Sequence, residues 1–139
     1  HPGFGTVEVR ICDIPINFKE ILTLVALIQA LVVTLQNEND CPSVHIQILE
    51  SNKWQAVRYG LEGLFIDPLT LKQLTIRKAI ENLCGLVEPA MISLGSSGYI
   101  RTIENILVKG TGSNKKREMY SASGNFEFII RSLKEQFYD

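Results

Sequence analysis

The sequence predicts an α+β fold: a helix-rich unit with two or three short strands. Three observations predict it. Residues 6–12 alternate cleanly, with Val7, Val9 and Ile11 on one face and Thr6, Glu8, Arg10 and Cys12 on the other, the period of a strand. Residues 21–35, "ILTLVALIQALVVTL", are apolar nearly all round, as in a buried helix. Phe126, Ile129, Ile130, Leu133 and Phe137 recur at the i, i+3, i+4 spacing of a helix with one apolar face.

The elements follow in order. Pro15 ends the first strand. Asn17 followed by Glu20 has the spacing of a capping box, which predicts a central buried helix from Phe18 to about Gln36. The apolar run covers Ile21 to Leu35 and contains Thr23, Gln29 and Thr34. That is shorter than the roughly 20 apolar residues a membrane span needs, so no membrane partner is expected. "NENDCP" is a polar break. Ser43 is the expected cap of a second helix, Val44 to Tyr59, closed by a left-handed Gly60. "GLFIDP" reads as a strand, Leu64 to Ile66, ending in an Asp-Pro turn, and "LKQL" as its hairpin return. A third helix is expected from near Thr75 toward Leu94, kinked or divided by Pro89. Gly95 to Gly98 form a flexible break, Tyr99 to Lys109 a fourth helix, and "GTGSNKKR" (110–117) a mobile loop before the closing helix at Asn125. No repeat or low-complexity tract interrupts the chain.

The 139 residues suffice for one domain, read as a single unit over 1–139. A hydrophobic fraction of 45% and a charged fraction of 21% describe a globular chain. A net charge of −1 argues against a nucleic-acid partner, which needs a basic surface. Cys12, Cys41 and Cys84 are odd in number and far apart. They fit reduced thiols of a cytoplasmic protein, packed as small hydrophobes, better than a disulfide framework. The chain begins at His1, almost directly with a strand that cannot be stable alone, so a fragment of something longer is expected.

Four constellations are chemically suggestive, and each has a plain alternative. Glu8 and Arg10 stand about 7 Å apart on one strand face. A carboxylate binds hard cations such as magnesium through oxygen, and a guanidinium grips phosphate oxygens in a fork. The same two groups also make an ordinary solvated ion pair. Asp13 either joins them or starts the turn before Pro15. In "NKWQAVRYG", Asn52, Gln55, Arg58 and Tyr59 lie near one helical side; Arg58 also simply suits a helix C-terminus, and Trp54 reads as core packing. In "GTGSNKKR", Lys115, Lys116 or Arg117 form either a lid closing on an anion or a solvated basic loop; the stretch is not a P-loop. His1 and His45 are isolated, and neither a zinc site nor a nucleophilic triad can be traced.

"HPGFGTVEVRICDIP" (1–15), "NKWQAVRYGLEGLFIDP" (52–68) and "GTGSNKKR" (110–117) together resemble the C-terminal part of the carboxylate–amine ligases of the type 2 glutamate–cysteine ligase family. The "HP..GT.E.R..D" pattern is the more specific part, and the likeness covers essentially the whole chain. It implies the C-terminal portion of a glutamine-synthetase-like fold, in which a curved antiparallel sheet carries acidic metal ligands toward a cleft. It also implies ATP-dependent ligation of a small-molecule carboxylate and an amine through an acyl phosphate, with ATP and magnesium as cofactors. By that resemblance Glu8 matches a magnesium ligand and Arg10 the arginine at the transferred phosphoryl group. Arg58 and Arg117 match motif arginines and are candidate contacts to substrate carboxylate or nucleotide. Most acidic ligands are then expected upstream of His1, and the chain alone is expected to be inactive. The competing reading is a non-catalytic helical domain for dimerisation or partner binding. A homodimer is compatible with both.

Overall fold

Asn17 starts the first helix. The computed structural model describes residues 2–36 and 43–138, and in it the Asn17 side chain accepts from the Glu20 N–H at 2.9 Å to open α1, Phe18–Leu35. α2 is Ile46–Tyr59, β1 Leu64–Ile66, β2 Gln73–Thr75, α3 Ile76–Ser93, α4 Ile100–Lys109, α5 Gly112–Ser123 and α6 Phe126–Glu135. The two strands form an antiparallel hairpin in the register Leu64–Thr75, Phe65–Leu74 and Ile66–Gln73. The chain is therefore helix-rich α+β, as the sequence predicts. The polar break and Cys41 lie outside the described residues.

The core sits where α1 crosses α3. Ala26 and Ala30 on α1 meet Val87, Ala90 and Met91 on α3, flanked by Leu27, Leu31, Leu83, Tyr99 and Ile100. Two alanines one turn apart let the helix backbones approach closely enough for Met91 and Val87 to be fully buried. α4 closes over both helices with Thr102 and Ile103 buried. α1 is less enclosed than its composition predicts: Phe18, Val25, Val32 and Leu35 remain exposed. It is also long and apolar enough to cross a membrane, with mean hydropathy 1.9 over 18 residues, so the length argument against a span does not hold. What marks it as a core helix is its packing on α3.

Several local expectations need correction. Residues 6–12 form no strand. A strand needs a neighbour to pair its N–H and C=O groups, and among the described residues only β1 and β2 pair. The cap of α2 is His45, whose Nδ1 accepts from the Gln47 N–H, rather than Ser43; an imidazole lone pair serves as a hydroxyl would, and the helix starts two residues late. Pro89 does not divide α3, which runs unbroken through it. Trp54 is not core: it is 55% exposed and meets Tyr59 edge-on at 5.5 Å. The inward face of α2 belongs to Asn52, and Trp54 lies about 200° further round a helix of 3.6 residues per turn. Cys12 is exposed and Cys84 partly buried, both free thiols.

The largest correction concerns 110–117, where residues 112–117 are helix rather than mobile loop. Gly110 at φ 85° ends α4. Thr111 immediately starts α5, its N–H and hydroxyl both donating to Asn114 Oδ1 at 3.1 and 2.7 Å. α6 begins as predicted, with Asn125 Oδ1 accepting from the Glu127 and Phe128 N–H groups. Its apolar stripe is only partly covered: Ile129 is buried, while Phe126 and Ile130 are exposed.

Candidate functional site

Glu8 and Arg10 do come together. Arg10 Nη2 donates to Glu8 Oε2 at 2.8 Å. The pair lies in a segment without regular secondary structure, and both side chains are largely exposed. Val7, Ile11 and Ile14 in the same segment are about 80% exposed. Three large aliphatic side chains are thus left in water within eight residues. Asp13 Oδ1 accepts from the Ile14 N–H at 2.8 Å, in a stretch without turn or bend before Ile16.

The base of the segment is packed. Ile14, Pro15 and Ile16 form one wall of a groove of about 360 Å³, faced by Lys116 and by Leu133, Lys134, Phe137 and Tyr138 near the C-terminus. Lys116 also borders a second groove of about 430 Å³ with Ser113, Arg117, Tyr120 and Phe126. Neither Glu8 nor Arg10 lines either one.

The remaining candidate side chains fall into two groups. Arg58 is exposed in the last turn of α2, and Arg117 is exposed on α5, its Nη2 donating to Ser113 Oγ one turn back. Both are more accessible than the half-buried Lys115, whose Nζ lies 3.4 Å from Glu20 Oε1. Asn52 and Gln55 are used structurally. Asn52 is buried and clamps β1 twice, accepting from the Ile66 N–H and donating to the Ile66 carbonyl, each at 2.8 Å. Gln55 Oε1 accepts from the Leu64 N–H. Cys84 is held above its usual thiol range, first by burial and then by the nearby carboxylates of Glu104 and Glu81, the opposite of an activated nucleophile.

No group of three or more His, Cys, Asp or Glu that could hold an ion occurs among the described residues. Glu8 is an oxygen donor of the right kind, but one carboxylate does not make a magnesium site.

Comparison with known proteins decides the family. A model of glutamate–cysteine ligase family 2 matches residues 1–135. The chain belongs to this family. It is similar to "Putative glutamate--cysteine ligase 2" of Gloeobacter violaceus, 41% identical over 138 residues that cover 96% of this chain and 37% of the relative. Identically named proteins of Sorangium cellulosum and Solibacter usitatus are 32% and 31% identical over 98% of this chain. The chain thus spans little more than a third of the length of these relatives. The three stretches that carry the resemblance map onto distinct parts of the fold: 1–15, described from residue 2, onto the segment before α1, 52–68 onto α2 and β1, and 110–117 onto the start of α5.

Sequence reasoning missed two contacts. The Lys115–Glu20 contact joins residues 95 positions apart, so no local pattern announces it. The Asn52 clamp had a weak signal, a polar residue on the inward side of an amphipathic helix, but its backbone partner could not be read.

Proposed function

We propose that this chain is the C-terminal portion of an ATP-dependent carboxylate–amine ligase. The complete enzyme would phosphorylate a small carboxylate with ATP and release phosphate as an amine attacks the acyl phosphate, leaving an amide and ADP. The observation that carries the reading is the open segment 6–14. It belongs to the most specific family stretch, it pairs a carboxylate with a guanidinium, and it leaves its apolar face uncovered. In the complete ligase the segment would be a strand of a glutamine-synthetase-like sheet, with Val7, Val9 and Ile11 packed against helices and Glu8 and Arg10 turned to the cleft.

The roles follow from charge. A carboxylate and a triphosphate repel each other, and phosphoryl transfer is chiefly positioning and charge neutralisation. Arg10 would hold the transferred phosphoryl group in its fork. Glu8 would be one oxygen donor to magnesium, the other donors coming from outside this chain. Arg58 and Arg117, both accessible, would meet the substrate carboxylate or the nucleotide. The 2.8 Å pair between Arg10 and Glu8 would then open, at little cost for an exposed ion pair.

A specific observation favours the second reading, a non-catalytic helical interaction domain: Glu8 and Arg10 stand in water, outside both grooves. A coupled ADP-release screen of the complete protein against carboxylic acids and amines separates the two. Amine-dependent ADP release supports the ligase; none with any pair supports the interaction domain. The 139-residue chain alone is expected to release none.

A further inference from the structure

The "GTGSNKKR" stretch meets the base of the Glu8–Arg10 segment, and the contacts are of a kind that fixes direction. Glu20 is buried, 8% exposed. Its Oε1 accepts from Asn17 Nδ2 at 3.2 Å and from Lys115 Nζ at 3.4 Å, and its Oε2 accepts from the Ile16 N–H at 3.3 Å. A buried carboxylate needs such donors, and Lys115 is the cation among them. Gly112, at the first turn of α5, sits so close to Ile16 that an added Cβ would lie 2.6 Å from Ile16 Cγ2. From the other side the Phe18 N–H donates to the Phe137 carbonyl at 2.8 Å.

We propose that Lys115 and Gly112 are positioning residues: α5 grips Glu20 and Ile16 so as to aim the segment that carries Glu8 and Arg10. This rests on the ligase reading. The family stretch at 110–117 thereby serves the reaction from behind, with Lys115 satisfied by protein rather than by phosphate. The lever is long. Ile16 and Arg10 are six residues apart, up to about 20 Å of chain. As the sheet strand proposed for the complete ligase, the segment would carry a tilt of roughly 3° at its base to Arg10 as a shift of about 1 Å, a misplacement that costs on the order of 10²-fold in rate.

The test uses the complete ligase with Lys115→Met, Lys115→Arg and Gly112→Ala, read by steady-state kinetics and by amide hydrogen exchange at Ile16. Lys115→Met and Gly112→Ala are expected to lower kcat about tenfold or more, with the KM for ATP within about twofold, and to speed exchange at Ile16 about tenfold. Lys115→Arg, which keeps the charge, is expected to restore most of both. A raised KM for ATP with unchanged exchange would place Lys115 on the nucleotide and overturn the proposal, as would full kcat in Lys115→Met. Should the wild-type protein ligate nothing, the ligase reading fails by itself; the Ile16 exchange then decides the grip, faster exchange in Lys115→Met supporting it and unchanged exchange overturning it.

Discussion

Asn52 holds Ile66 by both ends of its amide: Oδ1 accepts from the Ile66 N–H and Nδ2 donates to its carbonyl, both at 2.8 Å. The side chain thereby acts as a third strand for β1, satisfying the edge that β2 does not reach. Asn52→Ala leaves two backbone groups of a half-buried strand without partners. The expected cost is about 1–3 kcal/mol, measured by denaturant unfolding. Asn52→Asp, which keeps the acceptor but turns a charge on the Ile66 carbonyl, is expected to cost at least as much at neutral pH.

Glycines 63 and 85 are expected to respond in opposite directions to alanine. At Gly63 an added Cβ would lie 2.8 Å from both the Gln55 carbonyl oxygen and Ile76 Cδ1. The carbonyl belongs to α2 and cannot turn aside, so Gly63→Ala should destabilise by about 1–3 kcal/mol. Gly85 lies inside α3 with open space around it. Gly85→Ala should stabilise by about 0.5–1 kcal/mol through helix propensity. Thermal melts of the two variants check both signs.

Asp67 links the hairpin to pH. Its Oδ1 accepts from the Thr70 and Leu69 N–H groups at 2.8 and 2.9 Å. These bonds, that of Thr70 first, hold the carboxyl below its ordinary value of 3.8. A depressed carboxylate binds its proton less readily when folded than when unfolded. Its contribution is therefore present above about pH 4 and is lost as pH falls through the lowered folded value. Carboxyl-carbon NMR should show Asp67 titrating below the other exposed aspartates, and Thr70→Pro, which removes the leading donor, should move it back up.

The local elements were legible in the sequence because their causes are local. Asn17 caps α1 as its spacing to Glu20 predicts, α3 and α6 start next to the expected Thr75 and Asn125, and the Leu64–Ile66 strand with its Asp-Pro turn is reproduced residue for residue. The errors share a different cause. "GTGSNKKR" looks like loop because Gly, Thr, Ser and Asn have poor helix propensity, yet Thr111 and Asn114 cap each other and Lys115 finds Glu20. Trp54 looks like core because composition does not reveal that a polar Asn52 takes the inward face. The alternation in 6–12 predicts a strand that does not form, because a strand exists only with a partner, and periodicity in one segment says nothing of where that partner is. For the candidate site, type and spacing of Glu8 and Arg10 were readable, and their contact is real; what they face was not.

The central claim is that Glu8 and Arg10 act on nucleotide and metal rather than decorating a surface. The most direct measurement is amine-dependent ADP release by the complete ligase carrying Glu8→Gln or Arg10→Ala, beside its unfolding midpoint. An exposed pair contributes at most about 1 kcal/mol to stability, so the midpoint should barely move. Loss of one group that stabilises transition-state charge should lower kcat by about 10²–10³-fold. Wild-type turnover in both variants would contradict the account and leave the two residues as a surface ion pair.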